Sequence, residues 1–288
     1  MRRWLMISLL ALGCGVGGTA TAAEELQGML QIKGSDTMVN VCQAWAEAFM
    51  VAHPRVTVAV TGGGSGTGIA ALIAGTCDIT AASRKMTPKE LTLAQTRGRR
   101  LKEWTVGLDG LAVVVHPNNP VKQLTMDQLA GIFTGATPTW KALGGRDAAI
   151  VLLSREVNSG THVYFKEHVL GADASGHSRE FSPEALLLPS SQAIADEVAS
   201  NPAAIGYYGM GYLNPRNAAV AVARTADSPF LLPTEALVRA GTYPISRPLL
   251  LYASEALQGP AKAFMDFVMS PEGQAIVRRT DFVPVSAP

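Results

Sequence analysis

Val56-Thr-Val-Ala-Val-Thr61-Gly-Gly-Gly-Ser65-Gly-Thr-Gly68-Ile69-Ala-Ala-Leu72-Ile73 reads as a strand, a glycine-rich turn broken only by hydroxyl residues, and a helix. Val56, Val58 and Val60 alternate with period two, whereas Ile69, Leu72 and Ile73 recur at helical spacing. A turn almost without side chains therefore opens onto a helix N-terminus. The first helical N–H groups have no intrahelical partner and carry the positive end of the helix dipole, and glycine lets an anion approach them. The same residues also fit a plain tight turn in which Ser65 or Thr67 caps the helix.

Recurrence favours the anion reading. Gly34-Ser35-Asp36-Thr37 follows the apolar strand around Met29, Leu30 and Ile32. It opens a helix whose apolar positions are Met38, Val41, Cys42, Trp45, Phe49 and Ala52. Ser159-Gly160-Thr161 follows Ile150-Val-Leu-Leu153 and starts a helix with Val163, Tyr164, Phe165 and Val169, with Arg155 four residues ahead of Ser159. Ser83-Arg84 follows Cys77-Asp-Ile-Thr80 and precedes the capping box Thr87-Pro-Lys-Glu90. Ligands of open α/β sheets bind at the carboxyl ends of strands, so the four loops converge on one expected site. Ser35, Ser65, Gly66, Ser83, Ser159, Gly160 and Thr161, with the forks of Arg84 and Arg155, make a candidate cage for a tetrahedral oxyanion. Taken singly, each arginine fits an exposed salt bridge and each hydroxyl fits a cap or turn.

Enzymatic readings of these loops fail on residue identity. Residues 63–70 run Gly-Gly-Ser-Gly-Thr-Gly-Ile-Ala, without the lysine of a nucleotide-phosphate loop. A nucleophile elbow needs glycine two residues after Ser65, where Thr67 stands. Gly62 and Gly64 are followed by Thr67, which breaks a dinucleotide fingerprint. His53, His116, His162, His168 and His177 lack paired zinc spacing and read as surface or packing residues, so no metal and no cofactor is expected.

Export is expected from the first residues. Met1-Arg2-Arg3, apolar Trp4 to Leu12 and a small-residue end at Ala20-Thr-Ala-Ala23 form the three parts of a secretory leader, residues 1–23, with cleavage after Ala22 or Ala23. Ala11-Leu-Gly-Cys14 offers a second reading, a lipid anchor on Cys14. Loss of Arg2 and Arg3 takes the formal net charge from +1 to −1, so no nucleic acid partner is expected and any anion site must be local. Cys42 and Cys77 then remain, either as a disulfide of the oxidising compartment or as two buried thiols.

A chain of 288 residues exceeds most single cores, and strands alternate with helices from residue 29 to about 107. Leu111 to Val115 leads out at His116-Pro117, and Tyr243 to Tyr252 supplies a returning strand, giving two crossing strands as a hinge. Asp109 stands at that hinge, where a structural role is expected, Tyr207 and Tyr208 read as packing between lobes, and Trp140 reads as core.

Together the motifs resemble the phosphate-binding protein of the bacterial high-affinity phosphate ABC transporter, of the type II periplasmic-binding-protein fold. The resemblance runs through Gly34 to Thr37, Gly63 to Ile69, Ser83-Arg84, Asp109-Gly-Leu-Ala-Val-Val-Val-His-Pro117, Arg155 to Thr161, Ala204-Ile-Gly-Tyr207, Tyr243-Pro-Ile-Ser-Arg-Pro248 and Ser270-Pro-Glu-Gly-Gln274. It implies an α/β fold of two lobes, each with a mostly parallel sheet: residues 24–108 plus 250–288, and residues 109–249. It also implies a non-enzymatic, exported, monomeric receptor that closes on inorganic phosphate and delivers it to membrane permease subunits. Arg155, Ser159, Gly160 and Thr161 take the second-lobe contacts. Thr37, the Met38 amide and Ser65 take those of the first. Where the best-known members have an aspartate accepting the phosphate proton, this chain has Arg84, leaving Asp36 as the substitute acceptor or as a helix cap. Receptors for sulfate, molybdate or a phosphonate, and a secreted phosphatase or phosphate-responsive adhesion protein, are the alternatives.

Overall fold

A computed structural model of the chain describes residues 26–285, so the leader and Cys14 lie outside the described residues. The strands are β1 (Gly28–Gly34), β2 (Val56–Thr61), β3 (Ile79–Ala82), β4 (Leu101–Val115), β5 (Gln123–Thr125), β6 (Val151–Arg155), β7 (Leu186–Leu188), β8 (Ala204–Gly209), β9 (Ala218–Ala219), β10 (Ala221–Ala223) and β11 (Ser246–Ser254). The helices are α1 (Val39–Ala52), α2 (Ser65–Ala74), α3 (Pro88–Thr96), α4 (Met126–Phe133), α5 (Gly160–Phe165), α6 (Ser191–Ser200), α7 (Glu235–Arg239), α8 (Gly259–Met269) and α9 (Pro271–Arg279).

One sheet threads both lobes in the order β2-β1-β3-β11-β4-β8-β6-β7, with β9 added on β4. Within the first lobe β2, β1 and β3 are parallel, as right-handed crossovers through α1 and α2 require. In the second, β6 pairs in parallel with both β7 and β8. The strands that join the lobes are antiparallel. β4 pairs with β11 from Leu101 to Gly110 and with β8 from Leu111 to Val115, so β4 changes partner between Gly110 and Leu111.

Burial on both faces explains the unbroken apolar run that ends β4. Leu111, Val113 and Val115 enter the principal core, and Ala112 and Val114 enter a second cluster with Ile194 and Val198 of α6. In the first lobe, α1 lays Val41, Cys42, Trp45, Ala46 and Phe49 on one face of the sheet, at helical spacing. Trp45 Nε1 donates to the Gly273 carbonyl at 2.8 Å, which ties α1 to α9. Each such large apolar side chain contributes about 1.5–3 kcal/mol by leaving water. Ile69, Leu72 and Ile73 of α2 cover the opposite face together with Leu250 and Tyr252.

Several expectations are modified here. Tyr207 and Tyr208 are fully buried within the second lobe rather than between lobes: Tyr207 stacks on Phe165 at 3.8 Å, and the Tyr208 hydroxyl donates to Asn217. Trp140, by contrast, is core as expected, its Nε1 donating to the Ala203 carbonyl. The Cys42–Cys77 disulfide is not formed, and both thiols are free and buried. The reason is topological: Cys42 packs in the principal core beneath α1, whereas Cys77 belongs to the cluster on the other sheet face. Burial pushes the Cys42 thiol up to about 12 and raises that of Cys77 as well, so both are poor nucleophiles. Thiol titration of the leader-free protein is expected to find neither group reactive in the folded state and two after denaturation. A single mass unchanged by reduction would accompany that result.

Candidate functional site

The four loops read from sequence do converge. Each leaves the carboxyl end of a strand: β1 gives Ser35 and Thr37, β2 gives Ser65, β3 gives Ser83 and β6 gives Ser159, Gly160 and Thr161. All these side chains are buried. Gly34 is required for the first turn. It has φ of 141°, and a Cβ there would stand 2.1 Å from the Ala81 carbonyl oxygen.

Ser83 is the hub on the first lobe. Its hydroxyl takes a bond from Ser35 Oγ at 3.0 Å, and its N–H donates to Ser65 Oγ at 3.0 Å. Ser65 is therefore no helix cap. Gly64 occupies the cap position of α2 without a side-chain bond, and the Ser65 hydroxyl turns inward. From the second lobe, Thr161 Oγ1 meets Thr37 Oγ1 at 2.9 Å. Gly160 lies over the serines so closely that a Cβ would be 2.3 Å from Ser65 Oγ and 2.8 Å from Ser83 Oγ. The Gly66 N–H donates to the Asn158 carbonyl at 3.0 Å, and Asn158 Nδ2 returns a bond to the Gly63 carbonyl. Ser159 caps α5, its Oγ accepting the Thr161 and His162 N–H groups. The Met38 amide is used within its own turn, donating to the Ser35 carbonyl at 3.1 Å.

Arginines and carboxylates are arranged differently from the sequence expectation. Arg84 grips Glu90 with both Nη atoms, at 2.8 and 2.7 Å, and donates to the Lys85 carbonyl. Burial works to raise the Glu90 carboxyl, but the Arg84 and Thr87 hydrogen bonds and the Arg84 charge bring it below the usual value. Arg155 donates from Nε to the Leu188 carbonyl, from Nη1 to Ser191 Oγ and from Nη2 to the Pro189 carbonyl. Its ion pair is with Asp36 across the cleft, at 3.1 Å. Burial pulls the Arg155 guanidinium below its usual value, and the Asp36 charge opposes that shift.

Asp36 does not cap its own helical turn, which has no side-chain cap bond. Its Oδ2 instead accepts the Ser191 N–H at 2.8 Å, at the N-terminus of α6 in the other lobe. The carboxylate is thus a bridge between lobes.

One central residue escaped the sequence reading. Arg247 of β11 is 2% exposed, pairs with the fully buried Asp109 and reaches both Thr37 and Thr161. Its signal was an arginine inside the otherwise apolar returning strand, where an unpaired charge would be costly. Asp109, the expected structural hinge residue, is its partner.

The comparisons agree with this architecture. Residues 19–272 match the model of the PBP superfamily domain. The phosphate-binding protein PstS of Pseudomonas aeruginosa is 31% identical, with 98% of this chain and 95% of that one covered. PstS of Bacillus subtilis is 32% identical, with 96% and 90% covered. Among solved structures, a Clostridium perfringens protein crystallised with bound phosphate superposes with a TM-score of 0.80 at 35% identity, covering 90% of this chain and all of that one. An ABC-type phosphate transport receptor from Vibrio cholerae gives 0.71 at 29% identity, covering 89% and 100%.

The Asp36 bridge has a measurable consequence. Asp36→Ala removes two interlobe contacts of one carboxylate, to the Ser191 N–H and to Arg155. Loss of even one charge-assisted bond costs about 1.5–3 kcal/mol and so shifts the open-to-closed ratio by about tenfold to a hundredfold or more. A larger radius of gyration by small-angle scattering is the expected outcome. An unchanged curve would show that other contacts hold the lobes.

Proposed function

This chain belongs to the PBP superfamily, among the phosphate-binding proteins of ABC transporters, and from that premise we propose that it captures inorganic phosphate between its lobes for delivery to membrane permease subunits. The observation that supports this most is the hydroxyl cluster. Ser35, Ser65 and Ser83 of one lobe and Thr161 of the other, with Thr37, are brought within bonding distance at the ends of four strands. Ligand contacts are accordingly assigned to Ser35, Thr37, Ser65, Ser83, Gly160 and Thr161. Ser159 acts through the helix that it caps. The lobes are proposed as residues 24–108 plus 250–288 and residues 109–249, with ligand favouring the closed arrangement because each lobe holds only part of the cage.

The site works by orientation rather than net charge. Arg84 is matched by Glu90, Arg155 by Asp36 and Arg247 by Asp109, so the six ionised groups sum to zero. Hydroxyl and N–H dipoles then carry recognition. The reading is of a binding protein without turnover, as its relatives' names indicate. Export follows from the leader pattern of residues 1–23, with a lipid anchor at Cys14 as the second form; among the described residues no helix is long and apolar enough to cross a membrane.

Calorimetric titration with phosphate, sulfate, molybdate and a phosphonate tests the ligand class. One phosphate per chain is expected, with affinity changing less than about threefold between roughly 0.05 and 0.5 M sodium chloride because the site is neutral overall. Tight sulfate binding without phosphate binding would overturn the assignment, and hydrolysis of a phosphate ester would overturn the absence of turnover. Gly160→Ala places a methyl group against Ser65 and Ser83, and is expected to abolish measurable phosphate binding while thermal unfolding of the lobes changes little.

A further inference from the structure

We propose that Arg247, rather than Arg155 or Arg84, is the guanidinium that receives the anion, and that Asp109 is the residue that positions it. The inference rests on the phosphate reading of the cleft. Arg247 and Asp109 are cross-strand partners on β11 and β4, one residue before β4 leaves β11 for β8. The pair therefore stands on the hinge itself.

Arg247 Nη2 carries two N–H groups but lies near three oxygens: Asp109 Oδ2 at 2.8 Å, Thr161 Oγ1 at 3.1 Å and Thr37 Oγ1 at 3.3 Å. One of those contacts lacks a proton. The two threonine oxygens are themselves 2.9 Å apart, so Nη2 and both hydroxyls form a triangle with sides of about 3 Å. Two hydroxyl protons meet along one edge, where only one can be donated. The triangle thus has a hydroxyl proton to spare and a guanidinium N–H held only by a neutral acceptor. An anionic oxygen over the triangle would take both, since charge-assisted bonds are about twice as strong as neutral ones.

Arg155 offers less, and Arg84, although its buried Nε has no hydrogen-bond partner among the described residues, has both Nη atoms already held by a carboxylate. Arg155 donates to two carbonyls, a serine and Asp36, and Arg84 to a carbonyl and both oxygens of Glu90. Arg247 instead has replaceable partners, one from each lobe, and a rigid seat. Asp109 Oδ2 takes its Nε at 2.9 Å, Oδ1 is fixed by the Met210 N–H at 3.0 Å, and the Ser83 carbonyl takes Nη1 at 3.2 Å. Gly209 keeps that seat open, because a Cβ there would stand 2.8 Å from both Asp109 Oδ2 and Thr37 Cγ2. Anion capture by Arg247 would join Thr37 to Thr161 through the hinge, so binding and closure become one event.

The test combines calorimetry with arginine side-chain 15N NMR, using inorganic phosphate. In the parent protein phosphate is expected to shift the Arg247 Nη signals. Arg247→Lys, which keeps the charge and loses the fork, should weaken binding at least about thirtyfold. Arg247→Met combined with Asp109→Leu leaves no buried charge unpaired and should bind no phosphate at millimolar concentration. Asp109→Asn should let the Arg247 Nη signals average through free rotation while affinity falls about tenfold, a spectroscopic change that a merely structural role would not produce. A parent that binds no phosphate would overturn the phosphate reading. A parent that binds phosphate with unmoved Arg247 signals, or a folded double variant with parental affinity, would overturn the Arg247 assignment alone.

Discussion

The buried ion pair of Asp109 and Arg247 constrains everything around it. Both side chains are fully removed from water, and breaking such a pair by removing one partner costs about 3–5 kcal/mol, because the other charge is stranded. The pair forms only if β4 and β11 keep the register that sets residue 109 opposite residue 247. A one-residue slip would put one side chain on the other sheet face. That register in turn decides where β4 stops pairing with β11 and begins pairing with β8. Hinge geometry and site geometry are thus fixed by one electrostatic contact.

A pattern follows across the cleft. Three guanidinium groups enter the region and each is met by a carboxylate, from six residues away in the case of Glu90 and from the opposite lobe in the case of Asp36. An uncompensated cation in so dry a setting would favour any anion and would repel its like-charged neighbours. Compensation leaves direction rather than net charge to decide, through the Arg247 fork and the hydroxyls around it, and a hydroxyl both donates and accepts. This bears on the position where the resembling family's best-known members carry an aspartate and this chain carries Arg84. Lone pairs on the linked hydroxyls of Ser35, Ser65 and Ser83 offer acceptors to a protonated oxyanion without a second carboxylate.

Much of this was legible in the sequence because it is local. Strand, glycine or hydroxyl, then helix is a pattern within about ten residues, and it located Ser35, Ser65, Ser83 and Thr161. The capping box at Thr87 to Glu90 is present as read. What escaped was pairing over distance. Asp36 lies 155 positions from Ser191, so its choice between cap and proton acceptor missed its part as an interlobe bridge. Arg84 read as a cage arginine or as one arm of an exposed salt bridge, and its partner went unseen because the box explained Glu90 by itself, although the carboxylate serves both Thr87 and Arg84. Two cysteines in a chain read as exported suggested a bond, but sequence does not say on which face of a sheet a residue packs. The change of partner on β4, from β11 to β8 at Gly110 and Leu111, falls at the start of an apolar run that by itself marks only burial on both faces.

Glycine is the remaining determinant of what the cleft can hold. Gly160 and Gly209 face the hydroxyl cluster and the hinge pair from the second lobe, and a single methyl at either would meet an oxygen at less than 3 Å. Their lack of side chains lets two lobes bring polar atoms to hydrogen-bonding distance across a cleft lined with hydroxyls. Because the approach is backbone-limited, the space between Thr37 and Thr161 is set by the sheet and the two helix N-termini rather than by flexible side chains. A small oxyanion with oxygens on all sides can satisfy every member of such a ring, whereas a ligand with one apolar face would leave buried hydroxyls unpaired at about 1–3 kcal/mol each. Selection by this site therefore acts through the number and direction of hydrogen bonds, with the hinge pair holding the frame in which they are counted.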